Sequence, residues 1–268
     1  MIQFNQITKQ WPDGTQALSE VSFNILKGQF CVILGPSGAG KSTLLRAVNG
    51  LMQPTSGHVL IDDVKFTPQT ARELRQRVAM VHQHFNLTLR MSVAANVLAG
   101  LLPAVTTIRA LLGWFTPEQR SKACALLERV GLDPKHLHRR AGALSGGQQQ
   151  RVGIARAFML NPEVVLADEP VASLDPKISR DILTLIRDAA RERNTTVLCS
   201  LHQVDLAREF GDRIIGMRDG RVVFDGTPAE FTDERVEALY HGARWEDAHA
   251  VTKADDELDA FDAQLVAA

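Results

Sequence analysis

The amino-acid sequence predicts an α/β fold built around a mainly parallel sheet. Five short apolar runs recur along the chain, and segments with helical patterning lie between several of them. Continuous apolar runs of this length are typical of strands that helices cover on both faces. The predicted strands are FCVIL (30–34), VAMV (78–81), EVVLA (163–167), TTVLCS (195–200) and RIIGM (213–217).

The N-terminal part follows a different pattern. MIQFNQI, ALSEVSFNIL and GHVLIDD alternate between apolar and polar residues, which predicts an antiparallel β layer. A helical insertion is predicted at about 84–160. Within it, TPEQRSKACALLERVG (116–131) begins with an N-cap threonine, a proline and a capping-box glutamine, and the glycine ends it.

The composition is that of an ordinary globular protein. The 268 residues are 45% hydrophobic and 23% charged, with a net charge of −1, so the bulk charge does not indicate a nucleic-acid partner. The first residues lack the charged cap and apolar core of a secretory signal. Cys31, Cys124 and Cys199 are far apart, and we interpret them as reduced, buried residues.

Two segments stand apart from this pattern. Residues 94–115 are apolar and about long enough to cross a bilayer, but Pro103 and Arg109 interrupt them. We predict a pair of short helices there, with an apolar face that can still meet a membrane-embedded partner. Residues 246–268 form an acidic tail after a domain at 1–245, and the charge excess favours disorder over a short helix.

A phosphate-binding loop, GPSGAGKS, follows the strand at 30–34 and precedes a predicted helix. Its glycines let backbone N–H groups converge on phosphate oxygens, and the helix N-terminus adds positive potential. We expect Lys41 to reach the β- and γ-phosphates and Ser42 to bind Mg²⁺. The predicted nucleotide-binding residues of this segment are Gly35, Pro36, Ser37, Gly38, Ala39, Gly40, Lys41, Ser42 and Thr43.

Polar side chains also follow other predicted strands. Asp168 and Glu169 end the strand VVLA, where Asp168 can hold Mg²⁺ through water and Glu169 can act as the general base. Gln83 and His202 come just after two further strands, where a lone glutamine is normally polar surface and a lone histidine is more often structural. The recurrence of polar residues at successive strand ends favours a functional role for both. Trp11 lies in a polar loop and can stack on adenine, although the residue alone leaves that open.

A second phosphate cradle is suggested by LSGGQQQRVGIARAF (144–158). Together with GPSGAGKS, Gln83, ADEP, SLD and His202, it makes the chain resemble the ATP-binding-cassette (ABC) ATPases of membrane transporters over about residues 1–240. The resemblance implies a P-loop NTPase (RecA-like) core with a helical signature subdomain. It also implies that Trp11 stacks on adenine, that Gln83 contacts Mg²⁺ and senses the permease, that Asp175 lies at a dimer interface and that His202 is the switch histidine.

The same resemblance implies partners and cofactors. Two chains would form a homodimer around ATP and Mg²⁺, with Ser145, Gly147 and Gln148 contacting the ATP held by the other chain. Two transmembrane permease subunits would dock near Gln83–Val97, and an extracytoplasmic solute-binding protein would act indirectly. The expected location is the cytoplasmic face of the cell (inner) membrane.

Longer segments of the sequence narrow the resemblance to the phosphonate importer ATPases. It is carried by FNLTLRMSVAANVLAG, LLGWFTPEQ, LSGGQQQRVGIARAF, ADEPVASLDP and SLHQVDLAREFGDRIIGMRDGRVVFDG. The chain departs from the family at residues 82–85, where it has HQHF and the family often shows QQFNL. Uptake of phosphite, phosphate or organophosphate is the alternative. A DNA-repair ATPase of this kind would separate the two motifs with a long coiled coil, whereas Lys41 and Ser145 are only 104 residues apart, with no sustained heptads between them. An ATPase that acts on ribosomes would need two cassettes in one chain, and this chain holds one.

Overall fold

A computed structural model describes residues 1–172 and 174–241, so the predicted acidic tail at 246–268 lies outside the described residues. The strands are β1 (Ile2–Gln10), β2 (Gln16–Ile25), β3 (Phe30–Leu34), β4 (Ser56–Ile61), β5 (Val64–Lys65), β6 (Val78–Val81), β7 (Val164–Asp168), β8 (Thr196–Ser200), β9 (Arg213–Arg218) and β10 (Arg221–Gly226). The helices are α1 (Lys41–Val48), α2 (Ala71–Arg77), α3 (Val93–Leu98), α4 (Thr107–Leu111), α5 (Pro117–Arg129), α6 (Gly146–Ala157), α7 (Pro176–Arg191), α8 (Val204–Phe210) and α9 (Asp233–His241).

The strands form two sheets, as the sequence predicts. The N-terminal sheet is antiparallel with the order β2-β1-β4-β5, and the larger sheet has the order β10-β9-β3-β8-β7-β6. All five predicted apolar strands lie in the larger sheet, where they pair in parallel. The antiparallel edge strand β10 was not predicted. Asp219 and Gly220, both at positive φ, form the tight turn that leads into it.

Successive residues of the central strands pack on opposite faces of the larger sheet. On β3, Val32 and Leu34 contact the core below the helical insertion, whereas Cys31 and Ile33 contact the core that includes α1 and the antiparallel sheet. Both faces of the sheet are therefore covered. This burial explains why the strands are continuous apolar runs rather than alternating ones.

The helical insertion contains α3 to α6 and lies between β6 and β7. Helix α5 begins with the predicted capping box, in which Thr116 accepts a hydrogen bond from the Gln119 backbone and the Gln119 side chain accepts one from Thr116. The chain leaves this helix through Gly131 at φ 72°. Helices α3 and α4 confirm the prediction of two short helices. No helix in the described part of the chain is long and apolar enough to cross a membrane.

The cysteines differ in burial, which corrects one part of the sequence interpretation. Cys31 and Cys199 are fully buried, and this burial raises the pKa of the Cys31 thiol to about 12 and raises that of Cys199 as well. Cys124 is only partly buried, because it does not share the buried face of α5 that Ala123, Leu126 and Leu127 form.

Candidate functional site

The candidate site lies at the carboxyl edge of the larger sheet, where four neighbouring strands end. Strand β3 leads into the loop that carries Lys41, and β8 ends two residues before His202. Strand β7 ends at Asp168, and β6 ends two residues before Gln83. Because β3, β8, β7 and β6 are adjacent and parallel, these polar residues collect at one edge, which is where open α/β sheets bind ligands.

The loop before α1 has the shape of a phosphate cradle. Gly40 is the N-cap residue of α1 and adopts φ 96°, and it caps the helix with no side-chain hydrogen bond. A Cβ atom at this position would lie 2.5 Å from the carbonyl oxygen of Ala17, so only glycine fits. The first backbone N–H groups of α1 are therefore left without a side-chain cap and can bind an anion.

The Lys41 side chain folds over this loop. Its Nζ donates to the carbonyl oxygens of Gly35 at 2.8 Å and Pro36 at 3.0 Å. Burial lowers the pKa of the Lys41 ammonium, and the carboxylates of Glu169 and Asp168 partly offset that shift. An ammonium has three donors, so one remains for a phosphate oxygen at the mouth of the loop.

A hydroxyl and a carboxylate meet next to the loop. Ser42 Oγ donates to Asp168 Oδ1 at 2.8 Å, and Ser200 Oγ donates to the same carboxylate oxygen at 2.9 Å. Serine and aspartate oxygens are hard ligands of the kind that Mg²⁺ selects. The donor set therefore fits a magnesium ion.

Glu169 is held in an unusual backbone conformation next to Asp168. Its φ is 47°, in the left-handed region that non-glycine residues rarely adopt, and its backbone N–H donates to Ser200 Oγ at 3.0 Å. Such strained residues cluster at functional sites, because the surrounding structure must hold them in place. The Glu169 carboxylate in turn lies 2.5 Å from Nε2 of His202.

Two residues of this arrangement were missed in the sequence. Ser200 is fully buried and hydrogen-bonds both acidic residues. Its position as a polar end to an apolar strand was a usable signal. The hydroxyl of Tyr240, on α9, donates to the carbonyl oxygen of His202 at 3.4 Å. Burial raises the pKa of the Tyr240 hydroxyl, and the Gly35 backbone partly offsets that shift. Nothing local in the sequence connects it to the loop.

Gln83 and Trp11 lie at the borders of the site. Gln83 is partly buried in the turn after β6. Trp11 follows β1 and is 40% exposed, with Lys9 Nζ 4.6 Å from the centre of its ring. The Lys9 ammonium therefore makes a cation–π contact with an indole that is still partly exposed.

The LSGGQ segment (144–148) leads into α6. Ser145 is its N-cap residue, and Ser145 and Gln148 form a reciprocal capping box at 3.4 and 3.0 Å. A Cβ atom at Gly147 would lie 3.1 Å from the Ile178 side chain, so α6 approaches α7 closely there. Asp175 caps that helix by accepting from the backbone N–H groups of Lys177 and Ile178.

An arginine connects α6 to the segment after Gln83. Arg156 donates to the carbonyl oxygens of Phe85 at 3.0 Å and Asn86 at 2.6 Å, two residues at positive φ. The Phe85 ring in turn faces Gly146 at the start of α6, where an added Cβ would lie 3.7 Å from it. The segment near Gln83 and the LSGGQ segment are thus in direct contact within one chain. The Arg156 guanidinium is thus paired with two backbone carbonyl oxygens.

The strand order, the glycine-rich loop before α1 and the acidic residues at the end of β7 define the chain as a P-loop nucleoside-triphosphatase. The ABC transporter family model matches residues 18–172. The chain belongs to the ABC transporter family, as an ATPase cassette.

Similar proteins cover most of the chain. A phosphonates import ATP-binding protein PhnC of Hydrogenovibrio crunogenus is 50% identical over 240 residues, which are 90% of this chain and 88% of that protein. A PhnC of Hyphomonas neptunium is 54% identical over 82% of this chain and 84% of its own. A dimeric post-hydrolysis structure of an ATP-binding cassette bound to ADP and Pi superposes with a TM-score of 0.74 at 36% identity, covering 85% of this chain and 99% of that one.

Proposed function

We propose that this chain is the ATPase subunit of a phosphonate importer. The observation that carries ATP hydrolysis is the cluster at the sheet edge, where Ser42 meets Asp168 and Glu169 meets His202. The observation that favours phosphonate is the identity of 50% and 54% to two proteins named as phosphonate import subunits. The ATPase domain spans 1–245 and includes the helical subdomain at about 84–160.

The loop from Gly35 to Thr43 binds the triphosphate of ATP. Its backbone N–H groups and the α1 N-terminus attract the phosphate oxygens, and Lys41 contributes its remaining donor. Trp11 stacks on the adenine with the ring face opposite Lys9. Ser42, Asp168 and Gln83 hold Mg²⁺, which neutralises charge on the β- and γ-phosphates when it is bound.

Hydrolysis depends on Glu169 as the general base for the attacking water. Ser200 holds its backbone and His202 holds its carboxylate, so the base has a defined orientation before ATP arrives. The His202 side chain is more exposed than that of Glu169, at 39% against 16%. In this proposal His202 also contacts the γ-phosphate.

The chain acts as a homodimer in this proposal. Ser145, Gly147 and Gln148 of one chain contact the ATP held by Lys41 of the other, and Asp175 lies at the interface between the chains. The exposure of Ser145 and Gly146 at the start of α6 supports this, because a helix N-terminus attracts anions. The solved dimer of a similar cassette is consistent with it.

Two permease subunits dock near Gln83–Val97, which places the dimer at the cytoplasmic face of the cell membrane. The contacts of Arg156 with Phe85 and Asn86 support this coupling, because they connect that segment to α6 and hence to the partner's ATP. Movement of α6 on ATP binding would be passed to the permease through them.

Uptake by cells that lack and regain this subunit tests the proposal. We expect uptake of methylphosphonate and 2-aminoethylphosphonate to depend on the chain, and complementation with Glu169→Gln not to restore it. Phosphite, phosphate and glycerol phosphate serve as alternative solutes. Uptake of one of these in place of the phosphonates would overturn the solute but not the ATPase assignment.

A further inference from the structure

Half of the exposed large hydrophobic side chains in the described residues lie in one short segment. We call residues 102–115 the apolar loop; it follows α3 and contains α4. Its exposed side chains, with their exposed fractions, are Leu102 (48%), Ile108 (69%), Leu111 (82%), Leu112 (63%) and Trp114 (66%). A concentration of this kind is unusual on a soluble surface and indicates an interaction site.

The apolar loop presents these side chains together. Ile108, Leu111 and Leu112 are three and four positions apart on α4 and its C-cap and therefore share one helix face. No residue of α4 is buried. The loop is closed by Arg109, whose Nε donates to the carbonyl oxygen of Trp114 at 3.3 Å, and it is tied to α2 by Gln76, whose side chain donates to Pro103 O at 3.3 Å.

The charge around the apolar loop is positive. The sequence contains no Asp or Glu from Leu74 to Pro117, although acidic residues make up 31 of 268. A cleft of about 410 Å³ lies between α2 and the loop, and its lining includes Arg72, Arg75, Leu102 and Pro103. Both arginines are exposed. The carboxylate of Glu73, which lies between them in the sequence, is 3.8 Å from the guanidinium of Arg77 instead.

We infer that the apolar loop and the Arg72/Arg75 cleft form a binding surface for anionic phospholipid membranes. Exposed leucines with a tryptophan beside arginines match the headgroup region of a bilayer, where apolar side chains enter the acyl boundary and cations meet lipid phosphates. The surface would hold the chain against the membrane independently of any permease. This inference does not rest on ATP hydrolysis or on the transported solute.

The arrangement predicts how strongly each part contributes. Each large apolar side chain that leaves water strengthens binding by on the order of tenfold, so two such residues contribute about a hundredfold. Each arginine near an anionic surface adds about fivefold, and salt screens this contribution. Binding should therefore require both the apolar residues and anionic lipid.

Co-sedimentation of the purified full chain with vesicles tests the inference, without nucleotide or permease. Vesicles of phosphatidylethanolamine with phosphatidylglycerol are compared with vesicles of phosphatidylcholine alone. The apolar variant is Leu111→Ser with Trp114→Ser, and the charge variant is Arg72→Gln with Arg75→Gln. The matched control for the apolar variant is Leu26→Ser with Leu51→Ser, because these two leucines are 60% and 64% exposed elsewhere on the chain.

We expect the unchanged chain and the control to sediment with anionic vesicles and much less with phosphatidylcholine. The apolar variant should lose about a hundredfold in vesicle binding. The charge variant should lose about 25-fold at low salt and much less at high salt. Far-UV circular dichroism confirms that each variant is folded. The inference would be overturned if the unchanged chain failed to bind anionic vesicles, or if the control lost as much binding as the apolar variant. It would also be overturned if the loop bound only to a detergent-solubilised permease or to a second copy of the chain.

Discussion

His202 Nε2 lies 2.5 Å from Oε1 of Glu169, and the Glu169 backbone N–H donates to Ser200 Oγ at 3.0 Å. Ser200, the last residue of β8, and His202, two residues further on, thus hold the backbone and the side chain of Glu169 at the end of β7. A residue that is strained at φ 47° needs such support. The orientation of the proposed base is therefore set by the neighbouring strand.

Replacement of His202 by alanine should lower kcat by on the order of 10²-fold, because the Glu169 carboxylate loses its oriented partner. KM for ATP should change much less, since the phosphate loop is untouched. His202→Gln retains a hydrogen-bonding group and should recover part of the loss. Steady-state ATPase assays of both variants, with His58→Ala as a distant histidine control, decide the matter. An unchanged kcat in His202→Ala would contradict the positioning role.

Replacement of Glu169 by glutamine should abolish most ATP hydrolysis, by about 10²- to 10⁴-fold, because an amide cannot accept the proton of the attacking water. ATP should still bind, and the chain should accumulate as a closed dimer, which size-exclusion chromatography with ATP detects. The control is Glu209→Gln, which removes an exposed partner of Arg180. Near-normal turnover in Glu169→Gln would show that another group is the base.

Replacement of Ser200 by alanine should lower both stability and turnover. The backbone N–H of Glu169 loses a buried acceptor, which costs about 1–3 kcal/mol in the free energy of unfolding. Thr195→Val removes a buried hydroxyl bonded to Pro162 O at the other end of β8 and is the matched control. We expect both variants to be destabilised in urea titrations, but only Ser200→Ala to lose kcat. Equal kcat in the two variants would make Ser200 purely structural.

Replacement of Ser145 by arginine should leave ATP binding to the single chain intact and prevent ATP-dependent dimerisation, because the larger cation occupies the proposed interface. The matched control is Thr116→Arg, which breaks the equivalent capping box of α5. Both variants should lose about 1 kcal/mol of stability. Light scattering with ATP separates them, and a dimer that persists in Ser145→Arg would count against the contact between chains.

His82 should make the fold less stable in acid. Burial, followed by the positive charge of Arg156, lowers the pKa of its imidazole below the ordinary 6.5. The unfolded chain then takes up a proton at a higher pH than the folded chain does, so stability present above about pH 6.5 is lost as the pH falls toward the folded-state pKa. Urea titrations at about pH 7.5 and 5.5 should show a smaller pH effect in His82→Gln than in the exposed control His138→Gln. Identical pH effects in the two variants would contradict this prediction.

Much of this structure could be predicted from local patterns. The five parallel strands, the antiparallel N-terminal layer and the α5 capping box follow from periodicity and capping residues, which act within a few positions of one another. The phosphate loop is equally local, because a run of eight residues supplies its turn and its helix start. Strand β10 was not predicted, although Asp219 and Gly220, which form the turn before it, are residues typical of a tight hairpin turn.

The sequence by itself determined which residues can do the chemistry and which runs become strands. Only the tertiary structure decided that Ser200 holds Asp168 and Glu169, that Tyr240 donates to the carbonyl oxygen of His202, and that Arg156 connects α6 to Phe85. The physical reason is that these contacts join residues 31 to 71 positions apart in the sequence. The order of the strands in the sheet and the packing of the helices, rather than any local preference, bring them together.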